Sequence, residues 1–132
     1  MKQHEINVRV RYSETDQMGV VYHGNYAQYF EMGRVEWLRN IGVSYKWMEE
    51  NGIMLPVVSL NINYKKPARY DDLLLVKTIF KKQESVKIEF DYEIRNEKDE
   101  LLTIANSTLV FVDMKTGRPV LPPEYILELL KE

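Results

Sequence analysis

The chain has 132 residues, 45% of them hydrophobic, and a formal net charge of -2, which fits one domain, residues 1–132, able to bury a core. The absence of cysteine excludes disulfides, thiolate metal sites and a cysteine nucleophile, and it agrees with a reducing, cytoplasmic location. A slightly acidic balance supplies no global positive field for nucleic acid, and no apolar run reaches signal-peptide or membrane-span length, so neither nucleic acid binding, membrane insertion nor export is expected.

Residues 5 to 12 alternate, with Ile6, Val8, Val10 and Tyr12 on one side and Glu5, Asn7, Arg9 and Arg11 on the other, which predicts a strand with one wet face. A loop reading SETDQMGVVYHG follows. Asn25 then caps a predicted helix running to about Asn40, on which Tyr26, Phe30, Gly33, Trp37 and Ile41 share one arc, and Gly42 ends it. A glycine in the middle of an apolar arc weakens the helix, so Gly33 predicts very close approach to a sheet. A short helix over residues 44–50 stops at Asn51 and Gly52.

The remainder reads as four strands, over residues 55–65, 72–82, 85–96 and 101–113. The third is the clearest, since Val86, Ile88, Phe90, Tyr92 and Ile94 alternate with Lys87, Glu89, Asp91, Glu93 and Arg95. Pro122 and Pro123 introduce a short C-terminal helix. Strands joined by such short connections pair antiparallel, so the expected fold is α+β: about five strands with one long helix on the apolar face. An open sheet of this kind has unpaired edges, which suits association with another subunit.

The loop is unusually rich in chemistry for a connection, holding Glu14, Asp16 and His23. The chain has no HExxH, GxSxG or Gly-rich phosphate loop, so zinc proteases, common serine hydrolases and nucleotide hydrolases are not indicated. Asp16 and His23 stand seven residues apart, with His23 just before Gly24 and Asn25 at a helix start. Unpaired N–H groups and the positive end of the helix dipole polarise a carbonyl docked there, and a nearby carboxylate attacks it or activates water against it. That combination points to acyl transfer. The residues also admit a plainer reading, in which Asp16 is a turn residue bonding its own backbone and His23 an exposed capping residue.

The stretch RVRYSETDQMGVVYHGNYAQYFEMGRVEWL closely resembles the signature of the 4-hydroxybenzoyl-CoA thioesterase family of the hotdog superfamily, and in particular its Tol-Pal-associated acyl-CoA thioesterase branch. The resemblance spans nearly the whole chain and implies a hotdog fold, an antiparallel sheet wrapped around one long helix. It further implies that Asp16 is the catalytic nucleophile or general base, that the backbone N–H at His23 holds the thioester oxygen, and that Tyr12 and the His23 side chain belong to the site. It also implies a homodimer or a dimer-of-dimers homotetramer with the site at a subunit boundary, and no cofactor or metal beyond the coenzyme A of the substrate.

Some enzymes of this superfamily use a carboxylate on the helix, which makes Glu31 a substrate-binding candidate; the alternative is an exposed residue pairing with Arg34 in the polar band. The matching acid in the hydroxybenzoyl enzyme contacts the substrate's ring hydroxyl, and a Glu, one methylene longer, does not reproduce that contact. Coenzyme A carries three phosphates, and residues 65–82 hold Lys65, Lys66, Arg69, Lys77, Lys81 and Lys82 against Asp71 and Asp72. Lys65, Lys66 and Arg69, in the YKKPAR turn, are the chosen phosphate contacts; edge lysines that merely solubilise a sheet are the alternative. Ser59 and Asn61 are polar interruptions of an apolar strand and are candidates for the active-site end of the sheet, with a solvent-facing position as the alternative. The expected activity is hydrolysis of acyl-CoA, with carrier-protein thioesters as a second possible acyl source. Its rivals are a hotdog dehydratase or isomerase using His23 and Glu31, and a non-catalytic module that binds acyl-CoA or acyl-carrier protein.

Overall fold

The alternation at the N-terminus builds β1, Gln3–Arg9, whose even-numbered residues turn towards the core. The chain, described over residues 2–131 in a computed structural model, continues through 3-10 turns at Tyr12–Glu14 and His23–Asn25 into α1, Tyr26–Ile41, and α2, Tyr45–Glu50. Met1 and Glu132, the two ends of the expected domain, lie outside the described residues. Five further strands belong to the sheet or its short companion before β7: β2, Ile53–Met54; β3, Val57–Tyr64; β4, Leu73–Glu84; β5, Lys87–Arg95; and β6, Leu101–Val110. β7, Val112–Asp113, and α3, Glu124–Leu130, complete the chain.

Five strands form one antiparallel sheet in the order β1-β4-β5-β6-β3, and β2 pairs with β7 in a separate ladder. This is the α+β arrangement expected, with α1 packed on the sheet face that carries Ile88, Phe90, Tyr92 and Ile94, each at most 2% exposed. Alternation along β5 puts Glu89, Asp91, Glu93 and Arg95 on the opposite, wetter face.

Gly33 sits where predicted. A Cβ there would lie 2.5 Å from Thr78 Oγ1 and 3.3 Å from Val76 Cγ1, so only glycine lets α1 approach β4 so closely. The buried stripe of α1 is wider than the expected arc and includes Tyr29, Arg34 and Leu38. Arg34 therefore does not lie in the polar band: it is 5% exposed and donates from Nη1 to Tyr92 Oη at 3.2 Å, and Tyr92 Oη is 2.6 Å from Ser107 Oγ. Its long stem lets the helix bury it while Nη1 finds the Tyr92 hydroxyl, Nε being buried without a hydrogen-bond partner among the described residues.

Two further boundaries differ from the pattern. β1 stops at Arg9, beyond which Val10 is tied irregularly to the turn just ahead of β4: Val10 N–H bonds Asp72 O and Asp71 N–H bonds Val10 O. Tyr12 consequently leaves the apolar row of Ile6, Val8 and Val10 and is 78% exposed. The last long strand divides at Phe111, whose N–H bonds Val86 O, and β7 turns away to pair with β2.

Candidate active site

The loop between β1 and α1 is a small hairpin. Thr15 bridges Val21, Asp16 N–H donates to Val20 O at 2.9 Å, and Gly19 N–H donates to Asp16 O at 3.0 Å. Gly19 closes the tip at φ +77°, a left-handed value that a side chain would strain. Asp16 Oδ1 accepts the N–H of Met18 at 2.8 Å and, more weakly, that of Val20 at 3.4 Å, so one carboxylate oxygen shapes the turn. The group is exposed at the hairpin tip. The turn role weighed against catalysis is thus real, and it also fixes the carboxylate's orientation.

The far arm of the hairpin runs directly into the helix. The N–H of Asn25 bonds Tyr22 O at 2.9 Å as the first link of the 3-10 turn, leaving the N–H groups of His23 and Gly24 ahead of any intrahelical acceptor. Asn25 does not cap α1: its backbone is already helical, and its side-chain amide donates instead to Glu14 O at 2.8 Å. The expected cap is corrected for a simple reason, since a residue inside a 3-10 turn cannot adopt the extended backbone that a capping side chain needs. The helix start is left without a side-chain cap, which keeps its donors and dipole facing outward.

Glu14 departs from the expected group of three chemical residues in the loop. It is 4% exposed; Oε1 accepts Arg11 N–H at 2.8 Å and Tyr29 Oη at 2.9 Å, and Oε2 accepts Arg11 Nη2 at 3.0 Å. Burial by itself would push its carboxyl up, but the Arg11 and Tyr29 donors outweigh it and hold the group below its ordinary value. Burial and the neighbouring Glu14 carboxylate push the Tyr29 hydroxyl well up, so it remains a donor. Both Glu14 carboxylate oxygens are engaged in structural bonds, whereas Asp16 keeps one carboxylate oxygen outside the turn bonds.

Segment 64–72 lies against the same hairpin. Val21 N–H bonds Ala68 O at 2.8 Å, Tyr70 N–H bonds Gly19 O at 3.3 Å, and Val20 bridges Arg69. Val21, His23, Tyr26, Tyr64, Lys65, Lys66 and Pro67 line a cleft of about 270 Å³ at the start of α1. The His23 ring packs on Tyr22 at 4.4 Å between centroids, and His23 O accepts the hydroxyl of Tyr64 at 3.3 Å. Tyr64 was missed, although its register with Leu60 and Ile62 on β3 puts it on the face towards α1. Tyr12 remains in the loop, with its ring edge-on to Tyr70 at 5.6 Å. Gly24 is packed too, since a Cβ there would meet the Tyr22 ring at 2.8 Å.

The other candidates divide. Lys65 reaches the cleft; Lys66 reaches it while its Nζ donates to Glu100 Oε2 at 2.8 Å, and Arg69 N–H is held by Asp72 Oδ2 at 2.9 Å. The lysines expected to extend this patch do not: Lys81 and Lys82 lie on β4 and pair with Glu89 and Glu84. Ser59 and Asn61 are opposite Thr108 and Asn106, on the sheet face away from α1, because alternate residues of β3 point to opposite sides. Of the two positions open to them, the solvent-facing one is therefore observed in this protomer. Glu31 is exposed on α1 and has no ion-pair partner among the described residues, its expected partner Arg34 being turned inward.

Comparison with known proteins identifies the family to which the chain belongs. The family model described as the thioesterase-like superfamily matches residues 10–130. YneP of Bacillus subtilis (strain 168), provisionally named an acyl-CoA thioesterase, is 40% identical over 113 residues, covering 86% of this chain and 82% of its own. The acyl-CoA thioester hydrolase YbgC of Escherichia coli O6:H1 is 32% identical over 125 residues, covering 95% of this chain and 93% of its own. Among solved structures, DHNA-CoA thioesterase from Staphylococcus aureus superposes with a TM-score of 0.92 at 40% identity, over 97% of this chain and 86% of that one.

Proposed function

The chain belongs to the thioesterase-like superfamily, and from that premise we propose that it hydrolyses the thioester of acyl-coenzyme A to a free acid and coenzyme A. It is an enzyme with the hotdog fold, as its relatives and structural neighbours are. The finer placement in the Tol-Pal-associated branch is part of the proposal and rests on the GVVYHGNY motif following Asp16.

The observation that carries the reading is the hairpin bearing Asp16 fastened to the uncapped start of α1, beside a cleft that Lys65 borders. A thioester carbonyl has little resonance to lose on attack. With its oxygen at the His23 and Gly24 N–H groups, the charge that develops on that oxygen meets fixed donors and the positive helix end. Asp16 either attacks the carbonyl carbon through its free oxygen, expelling the coenzyme A thiolate and leaving a mixed anhydride that water hydrolyses to the free acid and the Asp16 carboxylate, or takes the proton of an attacking water and passes it to the sulfur as the carbon–sulfur bond breaks; either route consumes one water and releases the acid and the coenzyme A thiol. Tyr12 and the His23 side chain border the reacting groups, Gly24 and Asn25 shape the oxygen-binding turn, and Glu31 stands further along α1 towards the acyl end. Lys65, with Lys66 and Arg69, meets the phosphates. No metal or organic cofactor is required by this chemistry.

The proposed assembly is a homodimer or a dimer of dimers in the cytoplasm, with the site completed across the boundary. Supporting it, β3 is an edge strand whose Val57 and Val58 are 43% and 58% exposed. Carrier-protein thioesters are an alternative acyl source. The test is thiol release across short, long and aromatic acyl-CoA esters. Saturable hydrolysis of at least one series supports the reading; enoyl formation without thiol supports a dehydratase or isomerase, and saturable binding without turnover supports a non-catalytic module.

A further inference from the structure

We infer that Glu14 is a positioning residue for the reaction, a buried clamp that sets where the Asp16 carboxylate stands relative to the start of α1; this rests on the catalytic role given to Asp16 above. Four parts of the site converge on this one residue. Its carboxylate holds Arg11, ahead of the hairpin, by the backbone N–H at 2.8 Å and the guanidinium at 3.0 and 3.2 Å. It holds the body of α1 through Tyr29 Oη at 2.9 Å. Its carbonyl holds the far arm of the hairpin through Tyr22 N–H at 2.9 Å, and the helix entry through Asn25 Nδ2 at 2.8 Å. Asp16 is two residues further along, in a hairpin whose tip packs on Tyr70 and Arg69.

The bonding also excludes Glu14 as a catalytic acid or base. Both carboxylate oxygens are already spent, and the residue is 4% exposed while Tyr29 is 0% exposed. A turn needs no buried carboxylate, and an ion pair whose arginine lies in solvent adds little to stability. What Glu14 does supply is direction: six bonds to its carboxylate and carbonyl leave the next residues one place to go. Catalysis is sensitive to this, since a misplacement of about 1 Å can cost on the order of a hundredfold.

The experiment compares Glu14→Gln, Tyr29→Phe, their double variant and Asp16→Asn, each as the full-length protein in its native assembly. The probe is the best acyl-CoA ester of the thiol-release panel, turnover being expressed per folded enzyme well below the melting temperature. Tyr29→Phe removes only the helix-side bond and keeps the ring, so it stands in should Glu14→Gln fail to fold. Both single variants are expected to lose about 10- to 100-fold in kcat with KM within about twofold. The double variant should lose less than the product of the two losses, because both act through one clamp. Amide hydrogen exchange should rise across residues 16–24 and stay unchanged over residues 30–38, a pattern that general destabilisation would not give. Wild-type kcat in both single variants, with Asp16→Asn inactive, would overturn the clamp and leave the catalytic reading standing. Wild-type turnover in Asp16→Asn would remove the reading itself, and the clamp's catalytic meaning with it.

Discussion

The carbonyl oxygen of Glu14 accepts the side-chain amide of Asn25 at 2.8 Å, joining the strand side of the hairpin to the residue just before α1. That single bond replaces the cap that Asn25 would otherwise make. Asn25→Ala should therefore cost about 0.5–1.5 kcal/mol in urea unfolding, the usual net worth of one such bond, rather than leave stability unchanged as an exposed asparagine would. Unaltered unfolding midpoints would show the bond to be idle.

The close contact of α1 with β4 gives a second expectation. A methyl at Gly33 has to displace Thr78 Oγ1, which is buried and has no hydrogen-bond partner to lose. Overpacking of this kind costs about 1–3 kcal/mol, against about 1 kcal/mol gained in helix propensity. Gly33→Ala should thus be destabilising on balance, and Thr78→Ala in the same chain should recover part of the loss. Thermal unfolding of the two single variants and the double variant measures both.

Acid stability should carry the mark of Glu14. Its folded-state pKa lies below its ordinary 4.5, so the unfolded chain takes up the proton first as pH falls. The stabilisation from its ionised form is complete above that ordinary value and disappears as pH drops through the lower, folded-state value. Glu14→Gln, which cannot titrate, should flatten this part of the stability curve relative to the wild type. Parallel curves for the two proteins between pH 5 and about 2.5 would contradict the account.

Lys65 and Lys66 should separate under kinetics. Lys65 borders the cleft without a carboxylate partner among the described residues, whereas Lys66 is already held by Glu100. Lys65→Ala should raise KM for acyl-CoA about two- to fivefold with kcat unchanged, the scale of one exposed charge contact, and added salt should shrink the difference. Lys66→Ala should do less. Equal KM values for wild type and Lys65→Ala would leave the phosphate assignment without support.

Much of the fold is written in local periodicity. The two-residue alternation of β5 and the interior glycine of α1 each follow from which face is dry, and both appear where the sequence puts them. The turn and the helix start that Asp16 and His23 flank appear where their spacing expects them. Glu14 and Tyr29 are not legible as a pair in the sequence, since their bond joins residues 15 apart through a loop whose path no periodicity specifies. Composition leaves Ser59 and Asn61 open between the active-site end and solvent, and the alternation that identifies β5 determines their face once β3 is paired with β6. Arg34 reads as surface because charged residues usually are, and its burial depends on the Tyr92 hydroxyl, far along the chain, which Ser107 holds in turn.

The central claim is that Asp16 performs the chemistry on a thioester held at the entry to α1. The most direct measurement is the kcat of Asp16→Asn on the preferred acyl-CoA, with secondary structure and oligomeric state matched to the wild type. The amide retains an oxygen for the turn bonds at Met18 and Val20, so the hairpin survives while the base or nucleophile is lost. A fall of at least about a hundredfold is predicted; turnover equal to the wild type would contradict it.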